Sequence, residues 1–562
     1  MGEAENIHPR DPNLVMRLDR LGSFHQSRLS FMRQLLRRLV REKWRFEQTV
    51  FDFDENGVGH AVYTAHGPER SYSLVAFGND LPPEKRSDRV IATEWDTAFT
   101  LFDGVPEQND IDRLRSNVPK QEAGRVSENE LTLSRANRSV RLWEHVVERL
   151  SQGAQPDIEK VIDVGYLMRT TAVYGSGKFG AADRAQIAER AEFQAPFQVE
   201  MLTVYLIRTF VMDLVEHMAR KRAPETAVPL DPELRRNFGI GNSTGLGMAP
   251  FLINHPALLN AWVGVREEAL CRVRQVVHAQ PQDITTINTL LARAILHAAH
   301  WHSEHPAQIS KLRDLRADLE KLQQHLHDFV ATGALPWNAL WLWVEENLSL
   351  EGQEQCASLL IELYPELVDP LTACMSTDEQ MTFPIDGSMR LSRLREIVED
   401  IYGWALKTDW AQVDAKARVW YTSEAKLEPR LGERFEEPLE PYEQPLGPGR
   451  DAALLYQALV DSHHHTVAAF LLEHPEHRHI ARRAQIAARL PYAEIRDNTI
   501  SAEMMPIDML RMKLSFFGAC HFDPRSDRWV RINMFQHAPF PHELCAETSD
   551  SWTLPPLPIA AQ

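Results

Sequence analysis

The chain has 562 residues, 44% hydrophobic and 25% charged, enough apolar material for substantial cores in roughly two to four domains. A formal net charge of −18 argues against an overall basic field for nucleic acid and against general attraction to anionic lipid. Its five cysteines, Cys271, Cys356, Cys374, Cys520 and Cys545, include no C-x-x-C pair. That count and spacing suit a reducing cytosol better than a disulfide framework or a cysteine zinc site.

The first twenty residues are polar and contain no apolar h-region, so no secretory signal is expected. Residues 13–43 have apolar positions at every third or fourth place, which fits a basic amphipathic helix. Its polar face carries Arg33, Arg37, Arg38 and Arg41, read as solvated, with a site for an acidic partner as the alternative. From 44 to 80 the period changes to two, with turns at Asn56-Gly57 and His66-Gly67-Pro68, which predicts three antiparallel strands. Residues 89–104 add a fourth, and Glu94, Asp96 and Asp103 within it read as solvated carboxylates of an edge strand.

Beyond residue 126 helical spacing predominates. Helices are expected at 127–151, 155–173, 181–193, 197–221, 247–278, 282–302, 306–331, 335–348, 351–363, 387–407, 451–473 and 478–489. The most apolar stretch, 201–218, is interrupted by Arg208, Asp213 and Glu216, which fits a buried helix rather than a membrane span. The segment 427–450 is rich in Pro, Glu and Gly and reads as a linker. Residues 513–536 read as a β-hairpin able to join or cap the N-terminal sheet.

Two glycine clusters stand out. GSGKFG, from Gly175 to Gly180, matches the dinucleotide pattern G-x-G-x-x-G, a fingerprint with physical meaning only directly after a buried strand. The preceding Ile158, Val161, Ile162, Gly165, Leu167 and Met168 follow helical spacing, so a Rossmann loop is not expected. The Walker pattern also fails, because Lys178 is followed by Phe179. What remains is an anion-binding nest: Gly175, Ser176, Gly177 and Lys178, with Arg169 preceding them. The second cluster holds Gly239, Gly241, Gly245 and Gly247 around Asn242, Ser243 and Thr244, a composition suited to close approach of a ligand. Both clusters also read as helix–helix linkers. As sites, they are expected at one end of a bundle or facing each other across a homo-oligomer. Arg208, in the apolar helix between them, needs a buried partner such as Asp213 or Glu216, or a ligand.

His297, His300 and Glu304 share one helical stripe, but i to i+7 spans about 10.5 Å, too far for one ion to take all three. A metal here requires ligands from other helices.

The fold class expected is mainly α: a large multi-helix bundle with a small N-terminal antiparallel β-sheet module and a C-terminal β-hairpin. Three units follow: 1–125, the α+β module; 126–335, helical and carrying both glycine loops; 336–562, helical with the 427–450 segment and the terminal hairpin. The function expected is a cytoplasmic enzyme acting on a small anionic molecule, phosphorylated or carboxylated, with no nucleic-acid or membrane partner. Arg169, Lys178 and Arg208 would supply charge, Ser176, Asn242, Ser243 and Thr244 would orient the ligand, and His255 and Tyr174 would carry protons. The reaction type and any cofactor stay open. The alternatives are a non-enzymatic helical scaffold and a metal-dependent enzyme using His297 and His300.

Overall fold

The computed structural model describes residues 7–85, 95–117, 129–174, 187, 190–242, 255–301, 306–331, 336–375, 383–410, 420–423, 443–446, 448–496, 506–524 and 530–554. Helices predominate, as their spacing implies. The expectation of a small N-terminal sheet module is overturned, however. One nine-stranded sheet draws strands from residue 45 to residue 534 and curls into a half-barrel.

Its strands are β1 (Arg45–Phe53), β2 (Gly59–His66), β3 (Ser71–Gly78), β4 (Thr97–Asp103), β5 (Glu130–Arg138), β6 (Tyr166–Tyr174) and β7 (Gly239–Asn242). A separate ribbon, β8 (Trp420–Ser423) with β9 (Glu443–Leu446), lies outside it, and β10 (His521–Pro524) and β11 (Val530–Met534) complete it. Strand order is β1-β2-β3-β4-β5-β6-β7-β11-β10. The terminal hairpin therefore joins the sheet, through β11 against β7. It begins only at His521, because the expected start at 513–517 belongs to the helix Pro506–Phe517.

Three other expectations change here. Residues 127–151 hold strand β5 before the helix Trp143–Ser151. Residues 155–173 hold the short helix Ile158–Val164 and then strand β6. Gly165 divides these two, with φ of 69° at the helix C-cap, where a Cβ would also lie 2.2 Å from Asn533 Nδ2. β4 is an interior strand rather than an edge. Asp96, just before it, is fully buried and accepts the Arg138 backbone N–H at 2.9 Å, while Asp103 pairs with Arg190 at 2.6 Å.

Three helices position the candidate site: α1 (Phe31–Arg41), α2 (Gln108–Asn117) and α3 (Gln198–Arg222). α3 is buried along nearly its whole 25-residue length, and it contacts every strand from β2 to β7. Alternation along the strands then makes sense. Ala61, Tyr63, Leu74, Phe99 and Leu101 belong to the large core on the α3 side. Val62, Val75, Phe77 and Phe102 face the other way and pack with Ile111 and Leu114 of α2. Among the described residues, no helix is long and apolar enough to cross a membrane.

The amphipathic stretch 13–43 is not one helix: a short turn of helix at Pro12–Val15 and a 3-10 turn at Leu18–Arg20 come first, and the long helix begins only at Phe31. Before it, residues 21–30 form an irregular segment whose every residue is buried, including Ser23, His25, Gln26, Ser27, Arg28 and Ser30. A second core of residues 391–493 with Ala257 unites the helices Leu391–Leu406, Pro448–Asp461, Val467–Glu473 and Arg478–Arg489.

Candidate functional site at the ends of the parallel strand pair

β6 and β7 are the only parallel pair among the named strand pairs, and α3 connects them. Arg169 stands opposite Gly241 and Thr170 opposite Asn242. Because the strands run the same way, both end at the same edge of the sheet. The first glycine cluster follows Tyr174 and the second runs through β7 and on from Asn242; Asn242 is level with Thr170, so β6 extends four residues beyond it. Gly175, Ser176, Gly177, Lys178, Ser243 and Thr244 themselves lie outside the described residues.

The helical spacing ahead of the dinucleotide pattern is therefore misleading. A strand does precede GSGKFG, and a parallel strand follows after a helix. The neighbours β5 and β11 are antiparallel, however, and residues 181–197 separate Gly180 from the start of α3. α3 thus does not begin where the fingerprint needs a helix N-terminus.

Arg169 is 2% exposed on β6. Two glycines of the second cluster have packing explanations. A Cβ on Gly241 would lie 2.6 Å from the Tyr166 ring, and one on Gly239 would lie 2.7 Å from Met534 O. Tyr174 closes β6 opposite Leu133. His255 is the N-cap of the helix Pro256–Arg274.

Arg208 sits elsewhere. It is fully buried and donates to Phe238 O at 2.7 Å, Ala538 O at 2.8 Å and Arg236 O at 3.3 Å, with its guanidinium 3.9 Å from the centroid of Phe540. Burial pulls its pKa down to about 9. Phe238 precedes β7, so this arginine fastens α3 to the end of β7 opposite Asn242, roughly 10 Å away at ~3.3 Å per residue. Asp213 and Glu216, its expected partners, pair with Arg235 instead, at 2.7 and 3.4 Å.

The two described histidines of the stripe each lie beside a backbone carbonyl. His297 Nε2 lies 3.2 Å from Phe24 O, and His300 Nδ1 lies 2.8 Å from Leu296 O. Glu304 is outside the described residues, and among those described no group of three or more His, Cys, Asp or Glu could hold an ion.

The chain leading into α3 returns to the same sheet end. Arg190 pairs with Asp103, the last residue of β4, and the Tyr72 hydroxyl of β3 donates to Glu192 Oε1. Burial and this acceptor together raise the Tyr72 pKa. Arg38 of α1 donates to the Glu192 carbonyl. Beside these contacts opens a cavity of about 470 Å³, lined by Gln34, Arg37, Arg38 and Arg41 of α1, by Gln194, Ala195 and Gln198, and by residues 369–373 except Leu371. The period of α1 marked these arginines; nothing in the sequence marked the glutamines opposite. Compared with family models, curated proteins and solved structures, the chain finds no match.

Proposed function

We propose that the chain is an intracellular enzyme that acts on a small anionic molecule, phosphorylated or carboxylated, at the ends of β6 and β7. The observation that carries this reading is the parallel register of Arg169 with Gly241 and of Thr170 with Asn242. Both glycine-rich stretches then leave the sheet on the same side, Tyr174 about 13 Å beyond the level of Asn242 at ~3.3 Å per residue, where parallel strands joined by a helix commonly present ligands. Lys178 and Arg169 supply positive charge; Ser176, Asn242, Ser243 and Thr244 supply hydrogen bonds. Fixed donors and charge at such a site favour a transition state that develops negative charge. Tyr174 and His255 are the proton carriers of this reading. The free state of all five cysteines supports the intracellular assignment.

A thermal-shift screen of anions, nucleotides and coenzymes tests the proposal on wild type and on Lys178→Ala. A specific anion raises the wild-type Tm through a free energy RT ln(1 + [L]/Kd) and raises that of Lys178→Ala much less. If no compound shifts wild type, or if both proteins respond alike, the proposal fails.

A further inference from the structure

The arginine-lined cavity has features that the strand-end reading does not use. Arg37, Arg38 and Arg41 contribute three guanidiniums to its wall, and among the described residues Asp369 is the one carboxylate of its lining. That carboxylate is already engaged, receiving Nε and Nη2 of Arg28 at 2.7 Å each. Arg37 meets Asp550, outside the lining, at 3.1 Å and also lies 3.8 Å from Asp369, while Glu42, outside the lining, lies 3.6 Å from Arg38 and 3.5 Å from Arg41. Arg41 otherwise extends into solvent, its side chain 69% exposed.

The balance of charge differs from that deeper in the same cluster. Burial lowers the pKa of Arg28, Arg33, Arg37 and Arg38 alike. Asp369, Glu362 and Asp550 more than offset it in Arg28, and Asp550 and Glu362 do so in Arg33, so both end above their ordinary value. Arg37 and Arg38 end below theirs, charged groups whose burial is not fully compensated.

Gln198 adds a polar demand of the opposite sense. It is 1% exposed, and its Nε2 donates to Phe31 O and Pro196 O, both at 3.2 Å. Two carbonyl acceptors fix which end of the amide is nitrogen. Its Oε1 is buried without a hydrogen-bond partner. Such an acceptor costs stability unless a donor reaches it.

We propose that this cavity is a second ligand site, taking a small oxyanion that also carries a hydroxyl. The anionic group sits against Arg37, Arg38 and Arg41, and the hydroxyl donates to Gln198 Oε1. A phosphate ester of a polyol and a hydroxydicarboxylate share this chemistry, and the cavity has the size of an ordinary small-molecule site.

Isothermal titration of the full-length chain at low ionic strength tests it with two matched pairs: glucose 6-phosphate against inorganic phosphate, and malate against succinate. The hydroxylated member of at least one pair binds, and more tightly than its partner. Arg41→Ala weakens it by roughly tenfold, as expected for one lost charge-assisted contact, and Arg41→Glu abolishes it. Gln198→Met, checked for folding by circular dichroism, removes the preference for the hydroxylated member but keeps anion binding. Lys178→Ala leaves all of this unchanged, which separates this site from the strand-end site. The proposal is overturned if none of the four anions binds, if Arg41→Ala and Arg41→Glu bind as wild type does, or if Lys178→Ala alone removes binding. Equal affinity within both pairs overturns the role of Gln198.

Discussion

Arg169 of β6 stands beside Gly241 of β7 in parallel register, with the Tyr166 ring packed where a Cβ of residue 241 would be. One relationship thus explains both a glycine and why two chain segments leave the sheet on the same side. It rests on close packing, and it is testable as packing. Gly241→Ala places a methyl 2.6 Å from the ring, closer than real carbon contacts allow. The expected cost is about 1–3 kcal/mol in urea unfolding, the usual range for overpacking. Tyr166→Leu in the same chain should recover part of that loss, so the double mutant should be less destabilised than the sum of the singles. Strict additivity would contradict the contact.

Arg208 is assigned a purely structural role. Arg208→Met keeps the apolar stem but leaves the carbonyls of Phe238, Ala538 and Arg236 without their donor. A loss of roughly 3 kcal/mol or more is expected, because buried acceptors are left unsatisfied. Binding of any stabilising anion, measured under conditions where the variant is folded, should be unchanged. A variant as stable as wild type, or one that folds but loses the anion, would contradict the assignment.

His25 gives the fold an acid-side dependence. It is 2% exposed, with Gln355 Nε2 at 2.6 Å from Nδ1 and with Glu362, Arg33 and Arg293 near enough to act on its charge. Burial lowers its pKa from 6.5 to about 4. Between these values the unfolded chain binds a proton that the folded chain does not. Stability is therefore complete above about pH 6.5 and declines as pH falls toward 4, by on the order of 3 kcal/mol in total. Burial opposes ionisation of Glu362 and Asp550, yet the surrounding arginines hold both carboxyls below their usual range. Their contribution is lost at lower pH, so the windows are separable. Denaturation midpoints of wild type and His25→Asn between pH 4 and 7.5 provide the check. The variant should show a flatter slope from 6.5 to 4; parallel slopes would contradict it.

The sequence made the long periodic helices legible: α3 and the helices Pro306–Ala331 and Arg478–Arg489 fall close to where their spacing places them. The first three strands were equally plain, since two-residue alternation bounded by Asn-Gly and Gly-Pro turns has few other readings. β6 was hidden because a seven-residue helix and a strand join at a single residue, Gly165, and their combined apolar positions imitate one helical stripe. The adjacent Thr170 and Thr171, with Val173, were the local sign of a strand. β7 has four residues, two of them glycine, too short for any period to register. Residues 21–30 kept a helical spacing of apolar groups, but tertiary burial rather than local propensity sets their path. The candidate site suffered most from the loss of β6, because only a strand there brings the two glycine clusters to one edge. Gln194 and Gln198 could be placed opposite the arginines only by the fold.

Hydrogen exchange read by mass spectrometry, with and without the anion that most raises the Tm, tests the central claim most directly. The account predicts slower exchange in residues 168–174 of β6 and 239–242 of β7, and no such change in Lys178→Ala. Slower exchange confined to 31–41 and 194–198 would move the anion to the arginine-lined cavity and contradict a ligand site at the strand ends, as would the absence of any stabilising anion.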